Sequence, residues 1–329
     1  MRVTRDTLLK LTKDTVQRRF VTDISVVAVF LVGSLRPEDA IVESVADIDL
    51  LVITNGEPLD NREIVKLSND FHLDIAYENA SLYAQPRELR GDPWRGWAMW
   101  DPSLLHQKGR FFEYTQSIVR SNFDDTANLL KRARSFSVPA REAWYAMQLD
   151  AENAKPLKLL EAVSNAANAL AVLNGPPIPE RKLLADFPAR AQALDQAEMI
   201  QTLFASAAAS VNAEMINEWR IAWEVAFQAA SQSPRDARLH PVRLGYYKAA
   251  ITSQLESDLP TAALWPMFYT WALASESGIF NADQSKAWAG ACADMGLNAE
   301  ALPERLQALD VFLDRLEEIL EQIAVENGV

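Results

Sequence analysis

FLVGSLRPEDAIVESVADIDLLVIT, residues 30–54, carries the most structural information in the chain. It is preceded by Ser25–Val29, so the β-branched and aromatic run SVVAVFLV ends abruptly at Gly33-Ser34 and reads as a buried strand. Twelve residues after Gly33-Ser34 comes a second apolar run, which opens with Asp47-Ile48-Asp49 and continues to Thr54. Residues two apart on a strand share a face, so Asp47 and Asp49 project together while Ile48 and Leu50 turn into a core. A third run, Phe71–Tyr77 (FHLDIAY), places Asp74 between Leu73 and Ile75, again an acid among apolar neighbours. Adjacent carboxylates repel unless a cation lies between them, and hard oxygen donors suit Mg²⁺. Gly33 lets backbone pass close to a phosphate, and the Ser34 hydroxyl with nearby N–H groups can donate to its oxygens. A lone Asp-x-Asp or Gly-Ser carries little; the joint pattern points to a site for metal and nucleotide.

Around this stretch the pattern mixes periods. Thr4–Phe20 reads as an amphipathic helix with Leu8, Leu9, Leu11 and Val16 on or near one face, and Asn61–Asp70 as a further helix. Helices alternating with strands give an α/β or α+β domain over residues 1–121. From residue 122 to 329 the chain is rich in Ala and Leu and reads as an all-α helical bundle. Breaks are expected at Asn174-Gly175-Pro176-Pro177, Ser233-Pro234, His240-Pro241 and Leu259-Pro260, with Pro156 kinking or splitting a long helical pattern. The last helix carries Leu302, Leu306, Leu309, Leu313, Leu316, Leu320 and Ile323, a spacing that suits a coiled-coil dimer seam. Phe312 and Ile319 widen the stripe and favour packing inside a bundle. The expected class is therefore α+β: an N-terminal domain with a small mixed sheet, then helices, as a monomer or homodimer.

Composition narrows the function. The 329 residues are 49% hydrophobic and 23% charged, the balance of a globular protein with a sizeable core. No apolar run reaches the roughly 18 residues of a membrane span, and the N-terminus lacks a signal-peptide pattern. The net charge is −13, and most of it falls after residue 120: 15 basic and 18 acidic residues precede that point, 17 and 27 follow it. Such a surface argues against DNA, RNA or anionic membranes as partners, and the acidic second half reads either as ordinary solvated helix faces or as a surface that attracts a cationic small molecule. A single cysteine, Cys292, forms no internal disulfide, so a reducing cytoplasm is the expected location. His72, His106 and His240 lack zinc spacing, and there is no Walker Lys-Ser/Thr motif, GxGxxG or GxSxG elbow. The aromatic run LWPMFYTWAL, with Trp265 and Trp271, reads as core, and Cys292 as inert.

In Gly33-Ser34, Asp47-Ile48-Asp49 and Asp74 the chain resembles the nucleotidyltransferase superfamily, over about residues 25–80. Within it, the chain looks most like aminoglycoside nucleotidyltransferases of the adenylyltransferase type. PRELRGDPW, with Arg87, Glu88, Leu89 and Trp94, is similar to the stretch after the third acid in those enzymes; NALAVLNGPPIPERK, residues 168–182, is similar to their helix, Gly turn and Lys. The resemblance implies that Asp47 and Asp49 bind Mg²⁺ and the nucleotide phosphates, and that Gly33 and Ser34 hold the β- and γ-phosphates. It further implies that Asp74 is the general base or a third metal ligand, that Lys182, with Arg181, reaches the triphosphate, and that Trp94 helps hold the acceptor. Nucleotide and acceptor would meet between the two domains. The implied reaction moves a nucleoside monophosphate, AMP from ATP, onto a hydroxyl of a small, cationic acceptor. Ala46 stands where the family has Ser, the loop from Ser34 to Asp47 has no glycine, and the third acid is Asp rather than Glu. These departures motivate an alternative: a nucleotide-binding, antitoxin-like interaction module of the same fold with little turnover.

Overall fold

The computed structural model describes residues 4–33, 46–68, 71–150, 155–207 and 211–329. The described chain falls into two compact units, residues 1–123 and 124–329.

The first unit is built on a five-stranded mixed sheet. Its strands are β1 (Val26–Val32), β2 (Ala46–Thr54), β3 (Arg62–Lys66), β4 (Phe71–Asn79) and β5 (Ser103–Gln107), in the order β3-β4-β2-β1-β5. β2 and β4 run parallel, and every other neighbouring pair is antiparallel. Helix α1 (Arg5–Arg19) covers one face, where Leu8, Val16 and Phe20 pack on Val29, Leu31, Ile48, Leu50, Leu73 and Ile75. The other face carries Ala28, Phe30, Leu51 and Ile53. They pack against Met99 of α2 (Arg95–Trp100), Phe112 and Val119 of α3 (Phe111–Arg120), and Tyr83 and Leu89 of two 3-10 turns. Both faces of the central strands are thus apolar, which explains the continuous runs read in β1 and β2.

Two expectations for this unit change, and one strand is new. Residues 62–66 are the edge strand β3, not part of a helix: the β-branched pair Ile64-Val65 pairs with Asp74 and Leu73 of β4, and the tertiary ladder outweighs the local helical pattern. In α1, Leu11 is exposed, while Thr12 and Thr15 are buried and donate their hydroxyls at 2.8 Å to the carbonyls of Leu8 and Leu11. β5, which the sequence reading does not contain, pairs with β1 and is the edge strand on that side of the sheet.

The second unit is helical: α4 (Thr126–Leu149), α5 (Pro156–Ala171), α6 (Leu183–Gln192), α7 (Glu198–Ala207), α8 (Ala213–Ala230), α9 (Arg243–Leu255), α10 (Leu264–Ser275), α11 (Ala282–Asp294) and α12 (Leu302–Asn327). Pro156 is the first residue of α5, where its missing N–H costs nothing, so it splits the pattern rather than kinking it. The leucine stripe of α12 is buried within the unit, with Leu306, Leu309, Leu313 and Leu316 at most 1% exposed and packed toward α4, α5 and α7. α10 is buried almost all round, including Trp265, Phe268 and Trp271, so the aromatic run is core. No helix among the described residues is long and apolar enough to cross a membrane.

Candidate metal centre

The acids assemble because of register. β2 and β4 are parallel and aligned so that Asp47 lies opposite His72, and Asp49 opposite Asp74. All four therefore share one face of the sheet, the face that continues through Leu51 and Ile53 into the core beneath α2 and α3. One ligand oxygen from each of Asp47, Asp49 and Asp74 lies within 4.8 Å of the others, and among the described residues this is the group placed to hold a metal ion. Asp47 is 7% exposed and Asp74 2%, so the charges sit where water screens them poorly. A hard divalent cation fits this donor set, three carboxylates with no sulfur or imidazole.

Gly33 ends β1 beside this group. Val32 pairs with Asp49, and Gly33 adopts φ +74°, a left-handed conformation open to glycine without strain. A Cβ at Gly33 would collide with the Asp49 carboxylate. Glycine is required twice over, by backbone conformation and by the carboxylate packed on it. Ser34 lies outside the described residues.

A residue the sequence reading placed in a helix belongs here. Arg62, on β3, donates from Nε to Asp74 Oδ1 at 2.6 Å and from Nη2 to Oδ2 at 2.8 Å. The Asp74 side chain is 1% exposed and that of Arg62 is 43% exposed, so the guanidinium spans from the buried carboxylate to solvent. The strand period explains the aim: Arg62 and Ile64 share the face of Asp74, while Glu63 turns to the opposite face. There Glu63 accepts from Arg19 at 2.6 Å and from the Tyr77 hydroxyl at 2.9 Å. Burial raises the Glu63 carboxyl, but these two donors outweigh it and its pKa ends below the usual value; burial together with Glu63 pushes Tyr77 up to about 12. His72 is 2% exposed, a packed strand histidine.

The remaining candidates stand elsewhere. Trp94 flanks the start of α2 and is 52% exposed, whereas Trp97 and Trp100 pack with Phe123; Trp94 is therefore outside the core. Asp92 organises this stretch by accepting from the backbone N–H groups of Trp94 and Arg95. Arg87 and Glu88 line a groove of about 520 Å³ with Arg90, Tyr114 and Ile118, a different place from the acids.

Arg181 and Lys182 belong to the second unit, in a 3-10 turn that precedes α6. The turn is anchored from both sides. Asn168 accepts from Ile178 N at 2.6 Å, and Glu180 accepts from the Tyr247 hydroxyl at 3.1 Å and from Arg238 at 3.4 Å. Burial keeps the Glu180 carboxyl above its usual pKa despite Arg238. The Arg181 guanidinium lies 4.3 Å from the Tyr246 ring centroid, while Lys182 is exposed. Much of the 168–182 motif therefore has structural work within its own unit.

No family model and no curated protein matches the chain. Among solved structures, a nucleotidyltransferase-like protein from Exiguobacterium sibiricum is similar at 11% identity and a TM-score of 0.33, over 79% of this chain and 78% of that one. The geometry of the three acids stands independently of that likeness.

Proposed function

We propose that this protein is a divalent-metal-dependent nucleotidyltransferase, moving AMP from ATP onto a hydroxyl of a small acceptor. The observation that carries this reading is the convergence of Asp47, Asp49 and Asp74 within 4.8 Å beside a glycine that ends a strand. Asp47 and Asp49 hold Mg²⁺, and the backbone at Gly33, with Ser34, receives the β- and γ-phosphates. Mg²⁺, when bound, neutralises charge on the transferred phosphoryl group and on the pyrophosphate leaving group. Asp74 accepts the proton of the acceptor hydroxyl or completes the metal's ligands. Phosphate contacts from Arg181 and Lys182, an acceptor contact from Trp94, and a cationic, aminoglycoside-like acceptor belong to the same proposal and come from the sequence resemblance.

The Arg62 fork on both oxygens of Asp74 favours a second reading, a nucleotide-binding module with little turnover. Thermal unfolding with ATP, with and without Mg²⁺, tests the site. Wild type is expected to gain a Mg²⁺-dependent rise in Tm that Asp49→Asn loses; an equal rise in the variant would remove the acids from the site. Pyrophosphate release over a panel of hydroxylated acceptors then separates enzyme from binding module.

A further inference from the structure

We propose that Arg62 is the resident counter-ion of the acidic triad and sets its metal affinity, so that cation binding and the Arg62–Asp74 pair oppose each other. The inference rests on the metal-site reading above and adds a residue outside the three acids. Three carboxylates within 4.8 Å of one another, two of them almost wholly buried, repel strongly. The fold answers with a guanidinium on the neighbouring strand, placed by the β3–β4 register and bound to both oxygens of Asp74 at 2.6 and 2.8 Å. That positive charge lies one carboxylate away from any cation held by the triad. Two cations so close in a poorly screened environment raise each other's free energy. Arg62 therefore stabilises the triad without metal and holds divalent affinity down. Its half-exposed side chain can turn toward water when a cation arrives, which gives the pair an alternative to repulsion. The role is one of positioning and charge; Arg62 is not a catalytic residue.

Titration of the purified full chain with Mn²⁺, read by calorimetry without nucleotide, tests this directly. Arg62→Gln keeps a hydrogen-bond donor and removes the charge. It is expected to bind Mn²⁺ about tenfold or more tightly than wild type, given the strength of close charge pairs. Arg62→Lys keeps the charge, loses the fork, and is expected to stay within about threefold of wild type. Unchanged or weakened Mn²⁺ binding in Arg62→Gln overturns the proposal, as does equal tightening in Arg62→Lys, which would assign the effect to fork geometry. Asp49→Asn separates the two readings. If wild type binds Mn²⁺ and Asp49→Asn does not, the metal site stands whatever Arg62 does. If neither wild type nor Arg62→Gln binds, the metal site falls and the counter-ion role falls with it. Metal-free thermal unfolding of each variant identifies loss of fold; should Arg62→Gln unfold, Arg62→Met removes the same charge, is expected to tighten Mn²⁺ binding to the same extent, and overturns the proposal if its binding is unchanged or weaker.

Discussion

At the residue scale, Gly33 and Asp49 constrain each other. Gly33 has φ +74°, and the Asp49 carboxylate occupies the space a side chain would need. Gly33→Ala is therefore expected to cost about 1–3 kcal/mol from backbone strain together with displacement of Asp49. Urea unfolding measures the first part, and weakened Mn²⁺ binding the second. Retained stability and retained binding together would show that the turn can relax around the new methyl group. The placement of Asp47 and Asp49 on one face was readable from the chain, because a two-residue spacing on a strand needs no tertiary information. Arg62 was not readable. Its partner is twelve residues away on another strand, and nothing local to REIVK marks which carboxylate it meets.

At the scale of elements, β3 and α12 show opposite lessons. β3 is five residues with charges at both ends, too short to present a convincing period, and its state is settled by pairing with β4. α12 spans 26 residues, and its leucine stripe is unmistakable; what the spacing leaves open is whether that stripe meets another helix of the same chain or a second copy. The burial of Leu313 and Leu316 inside the helical unit gives the intramolecular answer. Leu316→Ala is expected to destabilise the protein by about 2–5 kcal/mol through the lost burial and the cavity left behind. Denaturant unfolding should show that loss at every protein concentration, whereas a dimer seam would make it concentration-dependent. α1 adds a smaller point: Thr12 and Thr15 face inward because each hydroxyl is satisfied by a carbonyl one turn back, so a polarity count misjudges its buried face.

At the scale of the whole molecule, the single thiol reports on folding. Cys292 is buried in α11, and burial pushes its pKa up to about 12. The folded state thus favours the neutral thiol. Its contribution to stability is present below the unfolded thiol value of about 8.5 and is lost as pH rises from there toward the folded value. A thiol reagent at pH 8 is expected to leave the native protein unlabelled and to label one site per chain after denaturation. Prompt labelling of native protein would contradict the burial. The formal charge of −13 also belongs to this scale, since it bears on which partners the surface attracts and not on which fold it takes.

The α+β class, the strands that carry the acids, the shared face of Asp47 and Asp49, and the helical character of the second half are all written locally in the chain. Each follows from local period, apolar runs and the punctuation of Pro and Gly, which act within a few residues. That Asp74 stands beside Asp49, that Arg62 clamps it, that β3 is a strand, and that the α12 stripe is internal emerge from the folded chain alone. Those outcomes depend on strand order, register and helix packing between distant parts of the chain, and the free energy that selects them comes from contacts a local reading does not contain.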